Sequence, residues 1–198
     1  MNAADIVIRD AAREDAHVIA GLFRMSSEGV SDYIWDGLRD EYPGLDLPDI
    51  GEKRYARENT EFSYQNCLIA EIGGRTAGMM HAFVMETDGN PPPDIDPVLR
   101  PFAELEVQGS YYISGIAVYP DFQGRGIGTR FLEAAEEKAR DLGCPSLSLI
   151  VFETNEGAFR LYERAGFTET DRRAIVPHEM LHHEGNALLM VRELDDRP

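Results

Sequence analysis

The sequence predicts an α+β (mixed α/β) fold, with a central twisted mixed sheet of about six to seven strands and flanking helices. Two observations predict it. Between residues 110 and 152 a strand, a helix and a second strand follow one another, and such a crossover makes the two strands parallel. Earlier in the chain, Gly73 and Gly74 separate two apolar runs, which predicts an antiparallel hairpin.

The order of the elements follows from hydrophobic periodicity and from the positions of glycine and proline. In the first half we expect a strand at 6–9, helices at 13–23 and 25–42, the second whole or in two halves, a loop at 43–48, and paired strands at 67–72 and 76–84. Three consecutive prolines predict a loop at 88–94, because proline removes a backbone donor and fixes φ. In the second half we expect strands at 110–118 and 146–152 around a helix at 127–142, a helix at 155–164, and strands at 167–176 and 187–193.

Length and charge limit the classes of function. A chain of 198 residues has the size of one ordinary domain, so we expect a single domain over residues 1–198. It has 36 acidic and 19 basic residues and a net charge of −17 at pH 7. Such a charge repels polyanions, so we do not expect nucleic-acid binding, and it favours a cationic small molecule as a partner.

The chain shows no sequence signal for export, membrane insertion or a disulfide framework. Residues 1–10 lack a basic segment followed by an apolar one, and no apolar run is long enough to cross a bilayer. The two cysteines, Cys67 and Cys144, lie beside apolar runs that suit reduced, buried thiols. We therefore expect a cytoplasmic protein that does not contact a membrane.

A glycine-rich turn joins the strand at 110–118 to the following helix. Gly124, Gly126 and Gly128 lack a Cβ, so a ligand can approach the backbone, and several N–H groups can converge at the positive end of the helix. Arg125 and Arg130 add the local positive charge that an acidic protein needs to hold a pyrophosphate. The spacing differs from that of dinucleotide folds and nucleotide P-loops, and structural tight turns use the same residues, so anion binding and a plain turn both stay open here.

Two motifs carry a resemblance to a known family. Residues 123–128 match Gln/Arg-x-x-Gly-x-Gly/Ala, and residues 155–167 match Asn-x-x-Ala-x-x-Leu-Tyr-x-x-x-Gly-Phe. With both motifs at this separation, the chain resembles the GNAT superfamily of N-acetyltransferases, firmly over 110–167 and loosely over the rest. The resemblance implies a GNAT-like fold in which two splayed parallel strands form an acyl-CoA cleft, with acetyl-CoA as the cosubstrate and no metal.

The resemblance also implies which residues hold acetyl-CoA. Backbone N–H groups of residues 124–129 would bind the pyrophosphate, and the exposed edge of residues 116–118 would pair with the pantetheine arm. The implied cofactor-binding residues are Ile116, Ala117, Val118, Gln123, Gly124, Arg125, Gly126, Ile127, Gly128, Thr129 and Asn155.

Catalytic roles follow from the same resemblance. Tyr162 matches the family tyrosine that faces the departing sulfur, which implies that it is the general acid; outside the motif, such a tyrosine is a core or cap residue. A phenol with an ordinary pKa of about 10 stays protonated at neutral pH and can donate to a thiolate. The predicted base is Glu106, with Glu104 and water alone as alternatives, because an acceptor ammonium must lose a proton before it attacks.

A competing motif, His-Glu-x-x-His, spans residues 178–182 and is the signature of zinc metalloproteases. That chemistry needs both histidines on one face of a stable helix and a third ligand further on. Pro177 and Gly185 bracket the segment, and no continuation supplies a third histidine. We therefore expect no metal, and we expect His178, His182 and His183 to line the substrate mouth.

The acceptor is expected to be a small-molecule or peptide amine that carries positive charge. In the family, the walls of the acceptor site come from residues that correspond to 25–36 and 177–185 here. Tyr33 and Trp35, beside two aspartates, combine aromatic faces with carboxylates and suit an ammonium group; the alternative is that both rings pack into the core. A non-catalytic acyl-CoA-binding or regulatory domain is the alternative function, and the oligomeric state, a homodimer included, stays open.

Overall fold

The structure, a computed structural model, describes residues 6–87 and 91–195. Residues 88–90 of the predicted proline-rich loop lie outside the described residues, and residues 91–94 form neither helix nor strand. The described chain divides into two compact units. The first comprises residues 6–81, 115–131 and 180–182, and the second comprises 82–87, 91–114, 132–179 and 183–195. That the whole chain is one domain stays a prediction.

The strands form a mixed sheet, as the sequence predicts. They are β1 (Ile6–Asp10), β2 (Cys67–Ile72), β3 (Arg75–Val84), β4 (Tyr111–Val118), β5 (Ser146–Phe152), β6 (Thr168–Ala174) and β7 (Asn186–Glu193). Their hydrogen-bonded order is β1-β2-β3-β4-β5-β7-β6. β4 and β5 pair in parallel, whereas β1 with β2, β2 with β3, β5 with β7, and β6 with β7 pair antiparallel. The α+β fold class and the crossover between residues 110 and 152 are confirmed.

The helices within the described residues are α1 (Ala16–Ser27), α2 (Val30–Asp36), α3 (Leu47–Tyr55), α4 (Arg100–Ala103), α5 (Ile127–Asp141) and α6 (Glu156–Arg164). The predicted helix at 25–42 is wrong as one helix, because two successive left-handed residues, Glu28 and Gly29, end α1 and begin α2. None of the described helices is both long and apolar enough to cross a bilayer.

Two short helices, α3 and α4, were not predicted from the sequence. The predicted loop at 43–48 ends inside a helix, because Asp46 caps α3 by accepting a hydrogen bond of 3.0 Å from the N–H of Asp49, and Pro48 in the first turn needs no donor. Around the two candidate bases, residues 102–103 end α4 and a turn follows at 104–105. Hydrophobic periodicity predicts neither short helix, because α3 depends on its Asp46 cap and α4 has only four residues and no side-chain cap.

The first unit has its core between its helices and β1 to β3. Side chains of α1 and α3 pack against those of β2 and β3. The buried residues include Ile19, Leu22 and Ile50 from the helices and Ile69 and Met79 from the strands. Burial of each such aliphatic side chain contributes roughly 1.5–3 kcal/mol. Cys67 belongs to the same core, where burial raises the pKa of its thiol, and both cysteines are free and buried as expected.

The second unit is built around β5, which pairs with a strand on each side. Three residues of β4 pair with β5 in parallel, from Tyr111 opposite Leu147 to Ile113 opposite Leu149, and β4 continues beyond this ladder to Val118. The hydroxyls of Ser110 and Ser148, both buried, lie 2.6 Å apart and satisfy each other beside the ladder. The acyl-CoA cleft expected where the ladder ends stays a prediction.

Candidate active site

The turn between β4 and α5 requires glycine and is open. Gly124 and Gly126 have φ values of 72° and 86°, in the left-handed region that L side chains rarely adopt. An ideal Cβ on either glycine would meet no heavy atom of the described residues within 4 Å. α5 begins directly after Gly126, so the first N–H groups of the helix extend from the same turn. The backbone here is accessible to an anion.

Hydrogen bonds to the chain itself hold this turn in place. The Gln123 N–H donates to the carbonyl of Pro120 over 3.2 Å, and the Gln123 side-chain Nε2 donates to the carbonyl of Val118 over 3.1 Å. Arg125 Nη2 donates to the carbonyl of Asp121 over 2.9 Å. Gln123 therefore ties the turn to the end of β4.

Two guanidinium groups lie beside the turn. Those of Arg75 and Arg125 lie 5.2 Å and 5.5 Å from the ring centroid of Phe122, a cation–π arrangement on one buried ring. Arg130 is exposed in the first turn of α5. Sequence analysis missed Arg75, because it lies beside the hairpin glycines far along the chain from the turn, and a basic residue there gives no signal of its own.

The predicted pantetheine edge is the last part of β4. Ala117 is buried, whereas Ile116 and Val118 are half-buried. Behind this edge, an ideal Cβ on Gly78 of β3 would lie 2.5 Å from the Ala117 carbonyl oxygen, so only glycine allows the two backbones to approach this closely. The close approach of β3 to β4 holds residues 116–118 in place on the side that faces β3.

Asn155 and Tyr162 are both placed by α6, in the second unit. The Asn155 side-chain oxygen caps the helix by accepting from the Ala158 N–H over 3.1 Å, which leaves its amide nitrogen as the group that can donate to a ligand. Tyr162 is 9% exposed, packs 5.9 Å from the Phe167 ring, and burial raises its pKa to about 12. At neutral pH this phenol is a proton donor.

The two candidate bases differ in their surroundings. Glu104 is exposed and forms an ion pair with Arg173, whose Nε donates a hydrogen bond of 2.9 Å to its carboxylate. Glu106 is half-buried just after α4. Burial raises the pKa of Tyr112 above its usual value, and the charges of Glu106 and Tyr162 raise it further, so these three groups are electrostatic neighbours. Tyr112, on β4, is a residue that sequence analysis did not single out.

The predicted aromatic site for the acceptor is corrected by the structure. Trp35 is 3% exposed and packs directly over Gly51 of α3, so it is a core residue and cannot offer its ring to a substrate cation. Asp32 forms two hydrogen bonds with Arg24, of 2.6 and 2.7 Å, which neutralise its charge. Tyr33 is half-buried on α2, and its predicted substrate role stays a prediction.

The His-Glu-x-x-His segment has no helix. Residues 177–185 form an irregular connection with one turn at 179–180, so helical spacing does not bring His178 and His182 onto one face. The His183 ring stacks 4.5 Å from that of Phe152 and bonds through Nδ1 to the Thr154 hydroxyl. Within residues 6–87 and 91–195, no three His, Cys, Asp or Glu side chains are grouped to hold a metal ion.

Comparison of the sequence with known proteins identifies one family profile, described as the Acetyltransferase (GNAT) family, which matches residues 31–167. The chain is 39% identical over 64 residues to an uncharacterised N-acetyltransferase of Bacillus subtilis, covering 32% of this chain and 41% of that protein. It is 39% identical over 61 residues to the mycothiol acetyltransferase of Propionibacterium freudenreichii, covering 31% of this chain and 19% of that protein. The matched stretches thus span less than half of these relatives.

Comparison of the structure with solved structures shows a shared fold. An N-acetyltransferase from Staphylococcus aureus superposes with a TM-score of 0.63 at 21% identity, covering 94% of this chain and 100% of that chain. A Salmonella typhimurium protein solved with its cofactor acetyl-CoA gives a TM-score of 0.64 at 20% identity, covering 98% of this chain and 96% of that chain. Both likenesses extend over nearly the whole chain.

Proposed function

The chain belongs to the Acetyltransferase (GNAT) family, as its two motifs predict, and on that premise we propose that it is an enzyme that transfers the acetyl group of acetyl-CoA directly to a primary amine. The observation that carries the proposal is the open glycine turn. Its backbone N–H groups, in residues 124–129, would hold the pyrophosphate, with Arg75, Arg125 and Arg130 adding positive charge in an otherwise acidic chain.

The remaining cofactor contacts come from the edge of β4 and from α6. Residues 116–118 would pair with the pantetheine arm as an added strand, and the amide nitrogen of Asn155 would donate to the cofactor. When bound, acetyl-CoA supplies an acetyl group activated as a thioester. The protein's part is to hold this group still and to move protons. The acceptor nitrogen loses one proton as the ammonium becomes an amine and a second as the amide forms, while the sulfur gains one and the other is released to solvent.

Tyr162 is the proposed general acid. As the new C–N bond forms and the C–S bond breaks, negative charge develops on sulfur, and the Tyr162 hydroxyl would donate its proton there. Burial raises the pKa of Tyr162 to about 12, so the phenol is fully protonated before transfer. The same burial keeps water from competing for the hydroxyl.

Glu106 is the proposed base. The acceptor is an ammonium at neutral pH, and a carboxylate can take its proton directly or through water. The pairing of Glu104 with Arg173 supports Glu106 over Glu104, because a carboxylate that already contacts a guanidinium is less available to an amine.

The acceptor is proposed to be a cationic small-molecule or peptide amine. The net charge of −17 raises the local concentration of cations. Tyr33 on α2 is the proposed acceptor-site residue, whereas Trp35 is buried in the core and does not contact the acceptor.

The proposal is tested by calorimetry with acetyl-CoA, followed by a panel of amines with CoA release as the readout. The panel contains a diamine, a neutral arylamine and an acidic amino acid, each at low and high salt. We expect acetyl-CoA binding, and turnover that is highest with the diamine and falls with salt. Binding without turnover on any amine would indicate the non-catalytic acyl-CoA-binding domain, and preference for the acidic amine would remove the cationic acceptor.

A further inference from the structure

The first unit contains a close contact that the proposed mechanism does not use. Residues 180–182, from the connection between β6 and β7, lie against the turn between α1 and α2. The His182 N–H donates to the Glu28 carbonyl over 3.0 Å. Next to this bond, an ideal Cβ on Gly29 would overlap the Met180 carbonyl oxygen. The two segments therefore touch backbone to backbone, and no gap remains between them at Gly29.

This contact depends on the unusual backbone of the turn. Glu28 has a φ of 50° and Gly29 a φ of 97°, so two successive residues are left-handed. Such a φ at a residue other than glycine stores strain of order 1 kcal/mol and persists only where the surroundings hold it. The hydrogen bond from His182 to the Glu28 carbonyl is one such restraint.

The same turn lies next to the strand that carries the predicted pantetheine edge. An ideal Cβ on Gly115 of β4 would lie 2.6 Å from Ser26 Oγ and 3.2 Å from Phe23 Cε2, so the last turn of α1 packs directly on β4. Gly115 precedes residues 116–118, and Ser26 precedes Glu28 by two positions. Direct contacts thus lead from the edge of β4, through the end of α1, to the closed contact with residues 180–182.

We propose that Gly29 is a specificity-determining residue. By allowing the α1–α2 turn to touch residues 180–182, it closes the wall that these two segments form, and so selects a small-molecule amine over the N-terminus or side chain of a polypeptide. This inference rests on the proposed function, since the wall adjoins the reacting amine only with acetyl-CoA along residues 116–118. A polypeptide carries chain away from its reactive amine and needs an outlet. The contact between Gly29 and Met180 leaves no space for a polypeptide to pass between these two segments. A small amine needs no such space.

The test compares Gly29→Ala with Gly44→Ala. Both glycines are left-handed, with φ values of 97° and 81°, so alanine strains the backbone at both. A Cβ on Gly44, however, would meet no heavy atom of the described residues within 4 Å. We measure kcat and KM for a diamine and for a ten-residue peptide with a free N-terminus and one lysine, together with the affinity for acetyl-CoA.

In the wild type we expect acetylation of the diamine with a kcat/KM at least about 100-fold above that of the peptide. Gly29→Ala is expected to raise the KM of the diamine about tenfold and to narrow the preference over the peptide, with unchanged affinity for acetyl-CoA. Gly44→Ala keeps the wild-type preference. A general loss of stability would lower the yield of active enzyme for both variants without moving either KM.

A second pair of variants decides the matter if Gly29→Ala does not fold. His182→Pro and His182→Ala both lose an exposed imidazole, but only proline also loses the N–H that bonds to Glu28. We expect the diamine KM of His182→Pro to exceed that of His182→Ala about tenfold.

Several results would overturn the inference. The inference is wrong if the wild type acetylates the peptide with the same kcat/KM as the diamine. It is also wrong if the two variants of either pair have equal KM values for the diamine. These outcomes leave acetyl-CoA binding intact and so spare the proposed function. Loss of acetyl-CoA binding in the wild type is a separate result, which overturns the proposed function and this inference together.

Discussion

Two left-handed glycines of the first unit, Gly126 and Gly29, differ in what stands opposite them. Both lie at the start of a helix, with φ values of 86° and 97°. A Cβ on Gly126 would extend into space that is empty of described residues, whereas a Cβ on Gly29 would overlap the Met180 carbonyl. Both glycines adopt the same kind of left-handed backbone, but their surroundings differ. Gly126 leaves room for a ligand, whereas Gly29 lets two chain segments come into contact. A substitution at the open glycine should weaken cofactor binding, whereas one at the packed glycine should disturb the contact between the two chain segments.

The largest expected effect is the loss of acetyl-CoA binding in Gly126→Val. The control is Gly143→Val, because Gly143 is also left-handed, with a φ of 71°, also open among the described residues, and follows the other end of α5. Both valines strain the backbone by roughly 1–3 kcal/mol, so both should lower the free energy of unfolding similarly. Calorimetry should show at least about a 100-fold weaker affinity for Gly126→Val alone. Equal affinities of the two variants for acetyl-CoA would contradict pyrophosphate binding by the glycine turn.

The next effect separates chemistry from packing at two buried tyrosines. Tyr162→Phe should lower kcat by about 10² to 10⁴, the range of general acid catalysis, with little change in the affinity for acetyl-CoA. The control is Tyr55→Phe, since Tyr55 is 1% exposed and its hydroxyl bonds to none of the described residues. That variant should keep its kcat and its stability. If Tyr162→Phe also keeps its kcat, the tyrosine is a packing residue.

A third effect concerns a buried histidine of the first unit and the dependence of the free energy of unfolding on pH. His81 is 0% exposed, its Nε2 donates to the Glu61 carbonyl over 2.9 Å, and burial lowers its pKa to about 4. In the unfolded chain the imidazole binds a proton below about pH 6.5, while in the folded chain it stays neutral down to about pH 4. The contribution of neutral His81 to the free energy of unfolding is therefore complete above about pH 6.5. It is lost as the pH falls from about 6.5 to about 4, by up to roughly 3 kcal/mol.

The measurement is urea unfolding in half-unit steps of pH. Asp15, whose pKa the Arg9 guanidinium lowers, protonates below its ordinary value of 3.8 and so contributes below that window. His81→Gln should flatten the profile between pH 6.5 and 4. A wild-type stability that is constant over this range would show that the imidazole is not held neutral.

The smallest effect compares a packed glycine with an open one, neither of which is left-handed. Gly78→Ala places its Cβ 2.5 Å from the Ala117 carbonyl oxygen and should destabilise the protein by roughly 1–3 kcal/mol. Gly21→Ala lies within α1, where a Cβ would meet no described atom within 4 Å, and should stabilise it by roughly 0.5–1 kcal/mol. Thermal unfolding of the two variants should therefore shift in opposite directions, and shifts of equal sign would contradict the close approach of β3 to β4.

Sequence patterns predicted most strands and the long helices, because periodicity records which faces are buried. They did not predict α3, whose start depends on the Asp46 cap, nor the break at Glu28. At the candidate site they singled out the glycine turn and Tyr162, since each belongs to a motif with fixed spacing. They missed Arg75 and misplaced Trp35, because a residue's type does not tell whether its neighbours in space are water, core or ligand.

The sequence by itself determined the family, the fold class and the position of the glycine turn, because these depend on local backbone demands and on patterns along the chain. Tertiary structure decided which carboxylates are paired, which aromatic ring is buried, and which glycine is shut against a carbonyl. Those facts depend on residues that are distant in sequence. Gly29 and Met180 are far apart along the chain, so their close approach is a property of two segments and is encoded in neither alone.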